Sequence, residues 1–157
     1  MPEFSLNTNW LIPAPVEAVW SCLIDTENWP SWWKYVISVE EIEPGDASGI
    51  NNIRRYYWRT CLPYTLMLNL CVTEIETRRF VAVKVDGDLQ GHGYCQLCPD
   101  STDNYTEVEF RWQVQTRKPW MNRFATLAAP IFAWNHARVM KSGEESLIRY
   151  LSTVKNL

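Results

Sequence analysis

The order of patterns along the chain constrains the fold most: a series of β-type segments precedes one long helical pattern near the end. Strand patterns are predicted over residues 4–12, 36–43, 50–60, 64–76, 79–86, 88–98 and 104–116. The helical pattern runs from about 119 to 154, and Pro130 is expected to break or kink it. In the last strand, apolar residues from Val108 to Val114 alternate with polar ones, so one face of the sheet needs a cover. The C-terminal helix is the element that can supply it.

Two short helices are expected between the first and second strands. The stretch "APVEAVWSCLID" places Val16, Val19, Trp20 and Leu23 on one side of a helix that Pro15 can open. A second short helix or turn follows in "NWPSWWKYV". The sequence thus predicts an α+β chain in which residues 1–157 form one domain around an antiparallel sheet of about seven strands.

The aromatic content is high. Nine Trp, seven Tyr and five Phe accompany 46% hydrophobic and 21% charged residues, which excludes a disordered chain. Large side chains suit either the wall of a cavity or a bulky core, and composition alone does not separate the two.

Charge, cysteines and hydropathy remove several classes of function. With 15 Lys and Arg against 18 Asp and Glu, the chain lacks the basic surface that nucleic acids require. No segment resembles a secretory signal or an integral membrane segment, so a cytoplasmic protein is expected. The five cysteines fit reduced thiols, and the C-x-x-C at Cys95 and Cys98 lacks a second ligand pair. We therefore expect no metal and no cofactor.

Several short segments, taken in order, resemble the START-like (SRPBCC) superfamily. They are "APVEAVWSCLIDTENWPSWW", "GDLQGHG", "TRKPWMN" and "WNHARVMKSGEESL", and the last three are similar to bacterial members of its polyketide cyclase/dehydrase-like group. The resemblance implies a helix-grip fold, in which a curved antiparallel sheet wraps around a long C-terminal helix and encloses a cavity. It does not settle the chemistry, because such folds serve carriers, receptors and enzymes alike.

One face of the C-terminal helix is the best candidate for contact with a ligand. At about 100° per residue, a single arc of about 120° contains Phe132, His136, Val139, Met140, Gly143, Leu147, Tyr150, Leu151 and Val154. His136 is predicted to be the polar contact of the ligand, and the alternative is a core histidine bonded to a tyrosine or the backbone. Gly143 either permits close packing of the helix or keeps the cavity open.

The inner face of the sheet supplies the other candidates. The predicted ligand-binding residues of the sheet are Tyr56, Trp58, Leu89, Gly91, Gly93, Phe110 and Trp112. Glycines at these strand positions are explained either by a bend in the strand or by space left for a ligand. Of the arginines in "NNIRRYYWRT", a buried one would indicate an anionic ligand, whereas outer ones are expected to pair with Glu107 or Glu109.

Three functions fit these patterns. The first is the binding or carriage of a small, largely hydrophobic ligand, such as a lipid, an isoprenoid or a polyketide-like molecule. The second is a cyclase or dehydratase in which His136 acts as the acid/base. The third is a protein-interaction module that uses an exposed patch from Trp29 to Trp33, although these tryptophans also suit the mouth of a cavity. A monomer or a dimer is expected for each of these functions.

Overall fold

The computed structural model describes residues 3–117, 119, 123 and 125–155, and these contain all seven predicted strands. The strands are β1 (Glu3–Ile12), β2 (Val36–Glu43), β3 (Ile53–Arg59), β4 (Thr65–Glu76), β5 (Phe80–Gly87), β6 (Leu89–Pro99) and β7 (Thr106–Thr116). They form one sheet in the order β1-β7-β6-β5-β4-β3-β2, with every neighbouring pair antiparallel. The predicted α+β, helix-grip arrangement with a curved, open sheet is confirmed.

The helical elements that can be bounded within the described residues are α1 (Val16–Ile24), a 3₁₀ helix (Thr26–Ser31) and α2 (Ala125–Lys155). The second predicted short helix is a 3₁₀ helix that contains Pro30, which has no backbone donor. α2 continues through Pro130 without a break. Residues 118, 120–122 and 124, which belong to the predicted start of this helix, lie outside the described residues.

The connection after β1 explains how the sheet gains a cover at one end. β1 and β2 are consecutive in sequence but lie at opposite edges of the sheet. The segment that contains α1 and the 3₁₀ helix therefore crosses from one edge to the other. It buries Val19, Trp20 and Leu23 of the predicted face of α1 in the hydrophobic core, and Val16, the fourth residue of that face, is partly buried.

Register shifts bend the sheet at two strands. β2 is irregular between Val36 and Ser38 and between Glu41 and Glu43, and β4 is irregular between Val72 and Glu74. Such bulges increase the local twist of a strand. They help a broad sheet to curve around one helix.

Tryptophans form the centre of the core. Trp33 is 1% exposed, and its ring centroid lies 5.5 Å from that of Trp10 and 4.9 Å from that of Trp58. α2 closes this cluster with Val139, Met140, Gly143 and Leu147. Its opposite face is exposed as predicted, at Arg138, Lys141, Glu145 and Arg149. Val154 is 48% exposed, so the buried face of α2 ends before this predicted position.

The exposed aromatic patch that was considered for an interaction module is not present. Trp32 and Trp33 are 9% and 1% exposed, and Trp29 packs between Trp33 and Trp58. The three indoles pack inward because the 3₁₀ helix lies against β2 and the core. The prediction of a surface patch from Trp29 to Trp33 was therefore wrong.

The predicted pairing of the β3 arginines with Glu107 or Glu109 was also wrong. These glutamates lie on β7, which neighbours β1 and β6, so β3 is four strands away from them in the sheet. Arg54 instead pairs with Glu27 at 2.5 Å, and Arg55 Nε donates to Asn69 Oδ1 at 3.0 Å. Strand order, which alternation does not reveal, decides these partners.

No helix in the described part of the chain is long and apolar enough to cross a membrane. All five cysteines are free, and burial raises the pKa of the Cys95 thiol to about 12. Within the described ranges, His, Cys, Asp and Glu side chains do not gather in groups of three that could hold a metal ion.

Candidate functional site

A cavity of about 170 Å³ lies between the inner face of the sheet and the first half of α2. Strands β1 and β3–β7, the 3₁₀ helix and the segment after it, and α2 all contribute to its wall. Several wall residues face inward but are only partly buried, because they border the open space of the cavity. Leu66, Leu68 and Leu70 of β4 are examples.

Eight of the predicted ligand-binding residues line this cavity. They are Trp58, Leu89, Phe110, Trp112, Phe132, His136, Val139 and Met140. Strand alternation turns the first four toward α2, and the 3.6-residue period of α2 turns the last four toward the sheet. The geometry thus brings the predicted helix face and the predicted strand faces to one space.

Four predicted residues are not part of the wall: Tyr56, Gly91, Gly93 and Gly143. Tyr56 points inward but is covered by aromatic neighbours, with its ring 5.8 Å from Trp29 and 6.4 Å from Trp58. Burial raises its pKa to about 12, so its hydroxyl stays protonated.

Gly143 packs against tryptophan rings and does not open the cavity. A Cβ atom at this position would lie 2.5 Å from the Trp33 ring and 2.8 Å from the Trp10 ring. The glycine therefore allows α2 to approach the two indoles closely, and the alternative that it provides room for a ligand was wrong.

The two strand glycines support the wall from behind. A Cβ on Gly93 would lie 2.2 Å from the Trp112 ring, so this glycine lets the indole approach the β6 backbone closely. Gly91 has φ +153, and a Cβ there would lie 2.0 Å from Gln113 O, which marks a close approach of β6 to β7. Gly93 thereby positions a side chain that does line the cavity.

More than half of the wall residues were not among the predicted ligand-binding residues. The missed residues are Phe4, Leu6, Trp29, Trp33, Arg59, Thr60, Tyr64, Leu66, Leu68, Leu70, Val85, Val114, Thr116 and Asn135. Alternation in "TLMLNL" marks the β4 leucines, and Phe4 and Leu6 alternate in the same way on β1. For Asn135, the signal is its spacing from Phe132 and Val139 by three and four positions, which places it on the same helix face.

His136 is the titratable wall residue whose protonation the cavity perturbs most clearly. Burial lowers its pKa to about 4, because the apolar surroundings disfavour the imidazolium. No described residue forms a hydrogen bond with its ring. The alternative of a core histidine bonded to a tyrosine or the backbone is therefore not supported by the described residues. With a pKa of about 4, the imidazole is neutral near pH 7.

The other polar wall residues cluster where the β3–β4 loop meets α2. Asn135 is buried, and its Oδ1 accepts a hydrogen bond from the Cys61 backbone N–H at 2.7 Å. Thr60 Oγ1 donates to Tyr64 O at 2.7 Å and accepts from the Leu62 N–H at 3.2 Å. These bonds shape the loop around one end of a cavity that is otherwise apolar.

Comparison with known proteins identifies the family. The sequence model described as "Polyketide cyclase / dehydrase and lipid transport" matches residues 4–151. The chain belongs to this family. None of the curated proteins matches the chain.

Solved structures of the same fold are distant in sequence from this polyketide cyclase/dehydrase family member. The START superfamily protein from Mycobacterium smegmatis has a TM-score of 0.77 and 11% identity, with 96% of this chain and 98% of that chain covered. The Zhui aromatase/cyclase from Streptomyces sp. R1128 has a TM-score of 0.76, 12% identity and coverages of 95% and 93%. TTHA0849 from Thermus thermophilus has a TM-score of 0.74, 18% identity and coverages of 94% and 99%. At these identities, the likeness shows the fold.

The family and the cavity together support ligand binding or cyclase-type activity in general terms. The described wall contains His136 as a neutral imidazole, the Asn135 side chain and the polar residues Arg59, Thr60, Tyr64 and Thr116, but no carboxylate or thiol. Such a wall can enclose an apolar molecule and form hydrogen bonds to one polar group on it.

Proposed function

We propose that this protein binds and carries a small, largely hydrophobic ligand in the cavity between the sheet and α2. The observation that carries the proposal is the cavity wall itself, which is apolar apart from a few side chains and contains His136 as a neutral ring without a described partner. A buried imidazole without a hydrogen-bond partner costs free energy, and a polar atom of the ligand can form the missing hydrogen bond.

The size of the cavity favours a compact ligand. An engineered apolar cavity of about 150 Å³ accepts benzene, and the present cavity measures about 170 Å³. A molecule of one or two rings, or a short isoprenoid unit, therefore suits it without rearrangement. A long-chain lipid requires movement of the wall.

Two neighbouring side chains would orient the polar group of such a ligand. His136 offers one donor and one acceptor in its neutral form. Since Asn135 Oδ1 already accepts from the Cys61 N–H, a ligand atom next to Asn135 would meet its Nδ2 donors. The two residues adjoin in sequence and both line the cavity, so a ketone or hydroxyl group suits this position.

The first experiment asks whether the protein is purified together with its ligand. Native mass spectrometry of fresh protein, followed by organic extraction, should reveal a stoichiometric apolar molecule. A clean apo mass, combined with no binding of any apolar compound from a broad library, would contradict the proposal.

A matched pair of variants tests whether binding uses this cavity. We expect 2-naphthol to bind the wild-type protein in calorimetric titrations and to lose most of its affinity for Leu68→Trp, whose indole fills the space. Met67→Trp carries the same indole on the opposite face of β4 and should bind normally. Equal binding by both variants would place the ligand elsewhere.

Cyclase or dehydratase chemistry is the second candidate, and the family description favours it. In this case His136 would act as the base that removes a proton from a folded substrate. A base is most effective when its pKa lies near the working pH, and the pKa of His136 is held at about 4 by burial. This mismatch favours binding over catalysis. Full turnover of an activated ring precursor by His136→Ala would exclude His136 from a catalytic role.

A further inference from the structure

Three cationic residues lie near Tyr35, beside the cavity. Lys34 Nζ lies 5.3 Å from the centre of the Tyr35 ring. The Arg59 backbone N–H donates to Tyr35 O at 2.6 Å, and Arg59 Nη1 donates to Lys34 O at 3.2 Å. Arg138 lies about one helical turn after the wall residue Asn135 on α2, and Asn135 contacts Cys61, which in turn contacts the Tyr35 hydroxyl. These residues, Lys34, Arg59 and Arg138, are termed the cationic rim.

The cationic rim forms no ion pair with the described residues. Lys34, Arg59 and Arg138 are exposed, and no described carboxylate forms an ion pair with any of them. Like charges that gather without a counter-charge repel each other. The chain as a whole carries a net charge of −3, so the concentration of positive charge here does not follow from composition.

The carboxylates at the end of β5 and in the turn after it are held by groups other than the rim. Asp86 pairs with Arg117 at 3.0 Å. Asp88 accepts a hydrogen bond from the Met67 N–H at 2.8 Å.

The rim adjoins the polar end of the cavity. Arg59 lines the cavity although it is exposed, so the cavity reaches the surface beside it. Tyr35 Oη lies 3.4 Å from Cys61 Sγ, and the Cys61 N–H donates to Asn135 Oδ1, which belongs to the wall. One short series of contacts therefore joins the positive surface to the space proposed for the ligand.

We infer that the ligand carries an anionic group, such as a carboxylate or a phosphate, which the cationic rim holds at the cavity mouth while the apolar body occupies the cavity. This inference rests on the proposed ligand-binding function. Guanidinium groups match such anions with two parallel hydrogen bonds, and an ammonium group adds charge. The anion is either part of a free small acid or a headgroup in a lipid surface.

The test compares two probes of the same shape. 2-Naphthoate and 2-naphthamide are titrated into the full chain at low salt by calorimetry, and the carboxylate should bind about tenfold more tightly. Arg59→Gln should reduce this preference several-fold. The control Arg149→Gln removes the same charge from the exposed face of α2 far from the rim, and should keep it. A salt concentration of about 1 M should reduce the preference for 2-naphthoate over 2-naphthamide, because salt screens the interaction between exposed charges.

The outcomes separate this inference from the proposed function. If both probes bind equally, the anion site is wrong while the apolar cavity remains a ligand site. If neither probe binds, both proposals fail. A preference that survives in both Arg59→Gln and Arg138→Gln overturns the assignment to the rim.

Vesicles distinguish the two sources of the anion. Trp134 is 50% exposed, and Arg138 lies 5.6 Å from the centre of its ring, so an anionic lipid surface could reach both. Salt-sensitive binding to phosphatidylglycerol vesicles, lost in Arg138→Gln, supports a lipid headgroup. Preference for naphthoate without vesicle binding supports a free acid.

Discussion

At the scale of single residues, burial decides the charge of His136. The ring lies in an apolar wall, and the pKa of about 4 means that protonation is disfavoured in the folded state. In the unfolded chain the imidazole returns to its ordinary value near 6.5. The difference links protonation of this residue to the stability of the whole fold.

The first prediction follows from this linkage. Between about pH 6.5 and 4 the unfolded chain binds more protons than the folded one, so stability falls as the pH is lowered through this window. The difference between 6.5 and about 4 corresponds to about 3 kcal/mol, at about 1.4 kcal/mol for each pKa unit. Urea unfolding across this window should show the loss in the wild-type protein and a much flatter profile in His136→Leu.

A histidine on the surface provides the control for this experiment. His92 is exposed, and His92→Gln should keep the wild-type pH dependence. Asp46 and Asp100 have pKa values below their ordinary 3.8, so their stabilising effect disappears only at lower pH. An unchanged slope in His136→Leu would show that another group causes the effect.

Gly143 provides the second prediction at this scale. Gly143→Ala gains about 1 kcal/mol of helix propensity, but its Cβ would lie 2.5 Å from the ring of Trp33. Because overpacking of a rigid core costs about 1–3 kcal/mol, we expect a net loss of stability in urea unfolding. Ser142→Ala, on the preceding residue of α2, should cause little change. A stabilised Gly143→Ala protein would contradict the close packing described here.

At the scale of elements, specific hydrogen bonds fasten α2 over the cavity. Trp33 Nε1 donates to Val139 O at 3.0 Å, and the Cys61 N–H donates to Asn135 Oδ1. The first bond joins α2 to the segment after the 3₁₀ helix, and the second joins it to the β3–β4 loop. Both reach the part of α2 that also contributes wall residues, so they fix the distance between helix and sheet.

Two neighbouring tryptophans test the first of these bonds. Trp33→Phe removes the bond to Val139 O, whereas Trp32→Phe removes an indole N–H that is buried and has no partner among the described residues. Both changes replace a buried indole with a smaller phenyl ring, but only Trp33→Phe breaks a hydrogen bond. We expect Trp33→Phe to be less stable than Trp32→Phe by about 1 kcal/mol, measured by urea unfolding. Equal losses would indicate that ring packing alone matters.

At the scale of the whole molecule, the cavity is a volume that unfolding eliminates. Pressure favours the unfolded state in proportion to such internal voids. Leu68→Trp should therefore reduce the magnitude of the unfolding volume, whereas Met67→Trp, on the other face of β4, should leave it near the wild-type value. High-pressure fluorescence with the nine tryptophans as reporters measures this quantity. Identical unfolding volumes would show that the cavity collapses or fills with water.

Much of the fold could be predicted because its signals are local. Strand-type runs separated by turn residues marked the seven strands, alternation marked the inner face of several of them, and the 3.6-residue period marked the buried face of α2. The same periodicities found the cavity residues Trp58, Phe110, His136 and Met140, since a buried face and a cavity wall share one pattern.

The sequence by itself therefore determined the strands, α1 and α2, their order and the inward side of most of them. Only the tertiary structure decided what stands opposite each inward residue. Gly143 meets two indoles, Arg54 meets Glu27, and Trp33 turns into the core, although local patterns allowed other partners. The cavity, the neutral state of His136 and the position of the cationic rim belong to this second group. Their physical cause is the juxtaposition of segments far apart in the chain, which sets distance, burial and electric field.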